Sequence, residues 1–363
     1  MLLLRVLVGL LGLAGLSLTS AGCRREPDMP RMGPPIAVTS KTARLQVAAN
    51  GQVRWPVVAF RDGIIMSSRT AGAPDAPTTY DLWDPGTGNL TPVSGWQTAP
   101  GVQERIVGSW DDWILAERFP SSVPDQFLLT LHNLGTGEIR DINMGANPGR
   151  AQIADGLVVW TTDAATGEEI HAHSVATGRE DTIRLAPEFN SQGIGISANR
   201  VAWYEGKDGE PGSIVSRDLT SGATGRAPLP ASIVGFAVSG DGSYLASMSD
   251  GNGGRRRLLV FDSTTQKTTR LLETRERIGE LWVSGTFLIW EASPSQDVAG
   301  FYDLQRRELR LVQRRARSMM FGTWAFRNWF VWMEMPNPPP PTVPGGGYPV
   351  DPEFYYYAVR LEP

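Results

Sequence analysis

Residues 157–160 (LVVW), 200–203 (RVAW), 287–290 (FLIW) and 329–332 (WFVW) each end a short stretch on tryptophan. Three more stretches fall in step with them: Gly63-Ile64-Ile65-Met66, Trp113-Ile114-Leu115-Ala116 and Tyr244-Leu245-Ala246-Ser247. Their last residues recur 42 to 50 positions apart. A short apolar run bounded by turn signals suits a strand buried on both faces. Copies at this period fit a β-propeller, whose four-stranded blades take about 40–45 residues each. The expected fold is all-β, with seven antiparallel blades near 51–100, 101–145, 146–188, 189–230, 231–274, 275–315 and 316–363.

A second element repeats at the same period. It is a strand ending in a polar residue and a tight turn: Asp84-Pro85-Gly86-Thr87-Gly88, Asn133-Leu134-Gly135-Thr136-Gly137, Ser174-Val175-Ala176-Thr177-Gly178 and Asp218-Leu219-Thr220-Ser221-Gly222. Blades five and six keep the start at Asp262 and Asp303, with Gln266 and Arg307 in the glycine place. Asp, Asn and Ser bond the backbone just ahead of them, and glycine takes the positive φ that a side chain resists. The repetition makes these acids turn residues, not a catalytic carboxylate array.

Blade seven has three strands in its own sequence: A near 318–322, B near 328–335 and C near 354–361. An open outer edge is a pairing hazard. Ala43–Ala48 (ARLQVA) alternates apolar and polar residues and precedes blade one. It is expected to supply the missing strand D, closing the ring. Trp160, Trp203, Trp290 and Trp332 share one blade position. They are expected to fill space between blades, where flat side chains bury much area.

The 363 residues are 41% apolar, enough for a large core, and 40 Gly and 27 Pro lie between the apolar runs, as many turns require. The formal charge of −4 gives no general attraction to nucleic acid. Residues 2–18 are apolar except for Arg5, and small residues 19–22 follow. This pattern reads as a secretory signal over 1–22. Ser20-Ala21-Gly22-Cys23 resembles the lipobox of bacterial lipoproteins. That resemblance implies cleavage before Cys23, the only cysteine, and lipidation of it. The membrane would then be one partner, reached through Cys23. Residues 23–40 follow as the lipidated Cys and a Pro-rich tether that holds the domain off the bilayer.

Ser239-Gly240-Asp241-Gly242-Ser243-Tyr244-Leu245-Ala246 resembles the turn-and-strand motif of TolB-like, WD40-like bacterial propellers. The likeness is clearest in blade five; Ala154-Asp155-Gly156, Ser197-Ala198-Asn199-Arg200 and Ser284-Gly285-Thr286 keep fragments of it. It implies an extracytoplasmic binding scaffold. The motif is structural and carries no site with it.

No G-x-S-x-G elbow occurs, so no hydrolase companion is expected. His171 and His173 sit two apart on one strand, and His132 holds the blade-two place equivalent to His173. With no further ligand nearby they are read as strand positions, with no metal and no cofactor expected. Arg306–Arg317 carries six arginines, read as a solvated edge or as a dock for an anionic surface.

In a propeller the D–A and B–C connections share one face and the A–B and C–D turns share the other. Long B–C loops are expected in blades one (69–78), two (118–125) and seven (336–352). Blades three to six are expected to have short ones. The long loops would cluster on one sector, with Phe119, Pro339, Pro340, Pro341 and Tyr348 as partner contacts. Glu104, Arg105, Arg150, Arg277 and Arg317 are the expected ligand-binding groups at the channel mouth. The reading is a monomeric, lipid-anchored module that binds a protein or glycan, with no catalytic residues. The alternative is a propeller lyase or hydrolase with its site at that mouth.

Overall fold

The computed structural model describes residues 29–37, 42–49, 51–70, 78–94, 96, 102–120, 128–142, 151–164, 167–185, 190–206, 212–229, 237–250, 255–275, 278–292, 300–313, 318–326, 329–336 and 354–361. These form strands and turns, with no helix among the described residues. Seven antiparallel sheets are arranged as a seven-bladed propeller. Each strand B opens at its quoted stretch: Gly63, Trp113, Leu157, Arg200, Tyr244, Phe287 and Trp329. The repeat therefore read the true register.

The core is divided among the seams between blades. Strand B residues alternate in direction, so Val158 and Trp160 pack toward blade two while Leu157 and Val159 pack toward blade four. Trp203, Trp290 and Trp332 face the preceding blade in the same way. The indole nitrogens of Trp160, Trp203 and Trp332 find no acceptor among the described residues. Burying an aromatic of this kind removes about 150–250 Å² from water. That contributes about 4–6 kcal/mol at about 25 cal/mol per Å², against about 1–3 kcal/mol for an unpaired donor. Burial wins, and the tryptophans are packing residues.

The turns behave as read. Asp84, Asn133, Asp218, Asp262 and Asp303 each accept a backbone N–H two residues ahead, at 2.7 to 3.0 Å. Gln266 and Arg307 stand in the left-handed region at φ of 55° and 53°, where the other blades place glycine.

Ala43–Gln46 pairs antiparallel with Tyr355–Arg360, running from Ala43 opposite Ala358 to Gln46 opposite Tyr355. It is strand D of blade seven, shorter than expected, since Ala48–Ala49 turns back to pair with Gln52–Val53 of blade one. Leu45 and Val47 join Trp329, Val331 and Tyr356 of blade seven to Ile64, Met66 and Trp83 of blade one. The Tyr356 hydroxyl donates to the Arg54 carbonyl at 2.8 Å. The ring is closed by the two ends of the chain.

The tether reading differs from what is found. Arg31–Met32 and Ile36–Ala37 lie along strand D of blade six, Glu308–Gln313, as a parallel fifth strand. Ile36 is buried against Phe287 and Val312. The physical reason is the exposed edge of that blade, whose unpaired backbone groups take up the passing chain.

Deleting residues 41–48 should lower the melting temperature of the whole domain in one cooperative step, as followed by circular dichroism. An unchanged melt would contradict the closure.

Candidate functional site at the seam of blades one and two

Blade two breaks the tryptophan repeat. Ala116 stands where Trp160, Trp203, Trp290 and Trp332 stand elsewhere. The space is filled from outside the repeat, by Trp96 on the chain between blades one and two. Its ring stacks on Tyr80 at 4.5 Å and on His132 at 5.0 Å between centroids. Val58, Phe60, Ile65, Ile114 and Ala116 complete this apolar seam.

A carboxylate sits inside it. Glu104 is paired with Arg118 across strands A and B, and the register puts Arg118, Ala116, Ile114 and His132 on the same face. The Glu104 side chain is 1% exposed. Its Oε2 accepts from the Trp96 indole at 3.2 Å. Its Oε1 lies 3.0 Å from His132 Nε2 and 3.5 Å from Arg118 Nε. The histidine contact is close but not aligned as a hydrogen bond, and neither atom has a hydrogen-bond partner among the described residues.

Burial alone would raise the Glu104 carboxyl. His132, the Trp96 indole and Arg118 outweigh burial and hold it below the usual carboxylate range. The Tyr80 hydroxyl is pushed well above the usual phenol range, first by burial and then by the Glu104 charge, with Arg69 opposing. Glu104 is thus a fixed negative charge beside a neutral phenol.

Above this seam a cleft of ≈ 580 Å³ is lined by Gln52, Thr79, Tyr80, Asp81, Val93 and Trp96. Gln52 and Thr79 begin strands A and C, and Pro92 ends strand D, so the cleft opens on the B–C face. Its lining brings the amide of Gln52, the hydroxyl of Thr79 and the carboxylate of Asp81 together over the buried rings of Tyr80 and Trp96, polar groups that could orient a ligand.

The expected site residues are only partly gathered here. Glu104 lies near the start of strand A with its carboxylate buried in the seam beside Trp96. Arg105 is exposed and bonds Glu117 at 2.6 Å on the opposite face of the blade. Phe119 is half-buried near the end of strand B. Arg150, Arg277, Arg317, Pro339, Pro340, Pro341 and Tyr348 lie outside the described residues, as do residues 1–28 with Cys23. His171 stacks on Trp160 at 5.2 Å and meets Thr162 at 2.8 Å. Its imidazole is lowered by burial, against Glu169 and Glu180. His173 lies 3.4 Å from Glu180. Among the described residues no three His, Cys, Asp or Glu side chains are grouped to hold a metal.

Sequence reasoning missed Trp96, Tyr80 and the Glu104–His132 pairing. The available signal was the break in the repeat at Ala116, with a tryptophan just upstream.

The B–C connections also differ from expectation. They span 71–78, 121–127 and 337–354 in blades one, two and seven. Blade six's connection, 293–299, matches that of blade two. The long sector therefore runs from blade six through seven and one to two.

No family model and no curated protein matches the chain. Solved structures do. The β-propeller domain of the Trilobed protease from Pyrococcus furiosus matches with a TM-score of 0.56 and 8% identity, over 87% of this chain and 97% of that one. That propeller is described as having an open velcro topology, whereas here the Ala43–Gln46 strand closes the last blade. An oligogalacturonate lyase in complex with manganese matches at 0.51 and 12% identity, over 92% and 98%. TolB from Acinetobacter baumannii matches at 0.41 and 13% identity, over 85% and 79%. Peptidases also match, and this chain spans about half their length. At such identities the likeness is one of fold.

A carboxyl held low in the folded state gives stability that is present above its unfolded value, about 4.3 for Glu, and lost as pH falls through the folded value. Glu104→Gln should therefore melt below the wild type at neutral pH, by about 1–3 kcal/mol. The two proteins should converge as pH falls through that window. Parallel pH profiles in denaturant titrations would contradict the pairing.

Proposed function

We propose that this chain is an extracytoplasmic, lipid-anchored propeller that binds a protein or glycan with the B–C face of blades seven, one and two. The observation that carries this reading is the closure of the ring. It makes blades seven and one neighbours, so connections 337–354, 71–78 and 121–127 arise side by side. The cleft beside Trp96 opens on the same face. Loops on a rigid scaffold are where binding groups concentrate. Attachment to the membrane comes from Cys23 behind its export signal. One acyl chain holds weakly, while two or more make anchoring stable.

The test is co-purification from native membranes, comparing the full protein with one trimmed of residues 338–349. A partner retained by the first and lost from the second is the expected result. Identical recovery would remove the loop from the binding face.

A further inference from the structure

Residues 29–37 form a strap, and the direction of the strap has a consequence for how the propeller sits. Strand D of blade six runs from its C–D turn at Leu304–Arg307 toward the B–C face. The strap is parallel to it, with Arg31 opposite Glu308 and Ala37 opposite Gln313. The chain therefore arrives from the turn face. Gly33 N–H donates to the Leu309 carbonyl at 2.9 Å, and Arg310 Nε donates to the Pro34 carbonyl at 3.2 Å.

Docking also shortens the leash. From Cys23 to Ala43 the chain has twenty steps, a reach of about 70 Å when extended. From Cys23 to Met29 it has six, about 20 Å. A protein anchored at Cys23 must keep the blade-six rim of its turn face within that distance of the bilayer.

The surface there is suited to an anionic layer. Arg31, Arg306 and Arg307 hold their side chains 77%, 54% and 50% exposed. The acids they meet, Glu308, Asp303 and Asp262, are at most 16% exposed. Cationic heads point outward and carboxylates inward. Met29 and Met32, among the few exposed large hydrophobics of the described residues, lie on the strap itself. Further round the turn face the exposed groups are of both signs, Asp111, Asp155 and Glu180 beside Arg61, Arg179 and Arg200, so what sets the strap apart is the pairing of outward arginines with exposed methionines.

We propose that the strap clamps the lipid anchor to blade six so that the turn face around Arg31, Arg306 and Arg307 rests on anionic lipid headgroups, with the B–C face turned away from the membrane. This rests on the lipid-anchor reading above.

The mature protein is prepared in two ways: as cells make it, with the mass of its first peptide measured, and by coupling Cys23 to a maleimide lipid. Both are placed on vesicles of phosphatidylcholine and phosphatidylglycerol, and amide exchange is compared with the free protein. Peptides over 262–267 and 303–309 should slow by about fivefold or more. Peptides over 64–70 and 114–119 should not change. Arg31→Glu combined with Met32→Ser, both exposed, should abolish the slowing without lowering the melting temperature. Slowing on the strand-B peptides instead, no slowing, or slowing that survives the double variant would overturn the proposal. The expected pattern in the coupled sample with no acyl mass on the cell-made protein would retire the anchor and keep the strap.

Discussion

The whole architecture hangs on a four-residue pairing between the ends of the chain. A propeller buries its core in seams between blades, and a ring has one more seam than a row. Along that last seam Ala43–Gln46 completes blade seven. Leu45 and Val47 then carry apolar area into the gap against Met66 and Trp83 of blade one. The contact joins residues about as far apart as the sequence allows. Its loop-closure entropy is offset because burial in the other seams has already drawn the ends together.

Within this frame the seams are not interchangeable. Most are filled by a strand-B tryptophan or another large side chain facing backward. At the seam of blades one and two, Ala116 gives up that volume. Trp96, Glu104 and His132 take it, so a buried charge replaces bulk. A buried carboxylate is costly unless its partners are close. Here the indole, imidazole and guanidinium supply them. The result is a buried carboxylate and its partners beneath a cleft on the loop-bearing face, at one of the three blades that lack the strand-B tryptophan.

Blade count, strand-B register, the turn acids and the closing strand were all legible, because each repeats or fills a gap that a repeat defines. Gln266 and Arg307 could be placed in positive-φ positions from their blade equivalents alone. The Glu104 cluster was not legible as such. Trp96 belongs to no repeat, and its contact with His132 depends on how neighbouring blades face each other. The strap was hidden for a different reason. Proline-rich, charged sequence such as residues 24–40 reads as spacer, and only the open edge of blade six gives two short stretches of it a partner. Loop lengths were overread in one respect, since blade six's connection equals that of blade two.

The most direct measurement of the closure is a cross-link across it. Ala43 and Ala358 face each other in the register, within the separation that a disulfide spans in paired strands. The variant Ala43→Cys/Ala358→Cys, made with Cys23→Ser, should oxidise to a monomeric cross-linked species that melts above its reduced form. No cross-link there, with ready formation by a control pair shifted by two residues or between two molecules, would contradict a ring closed by the first strand.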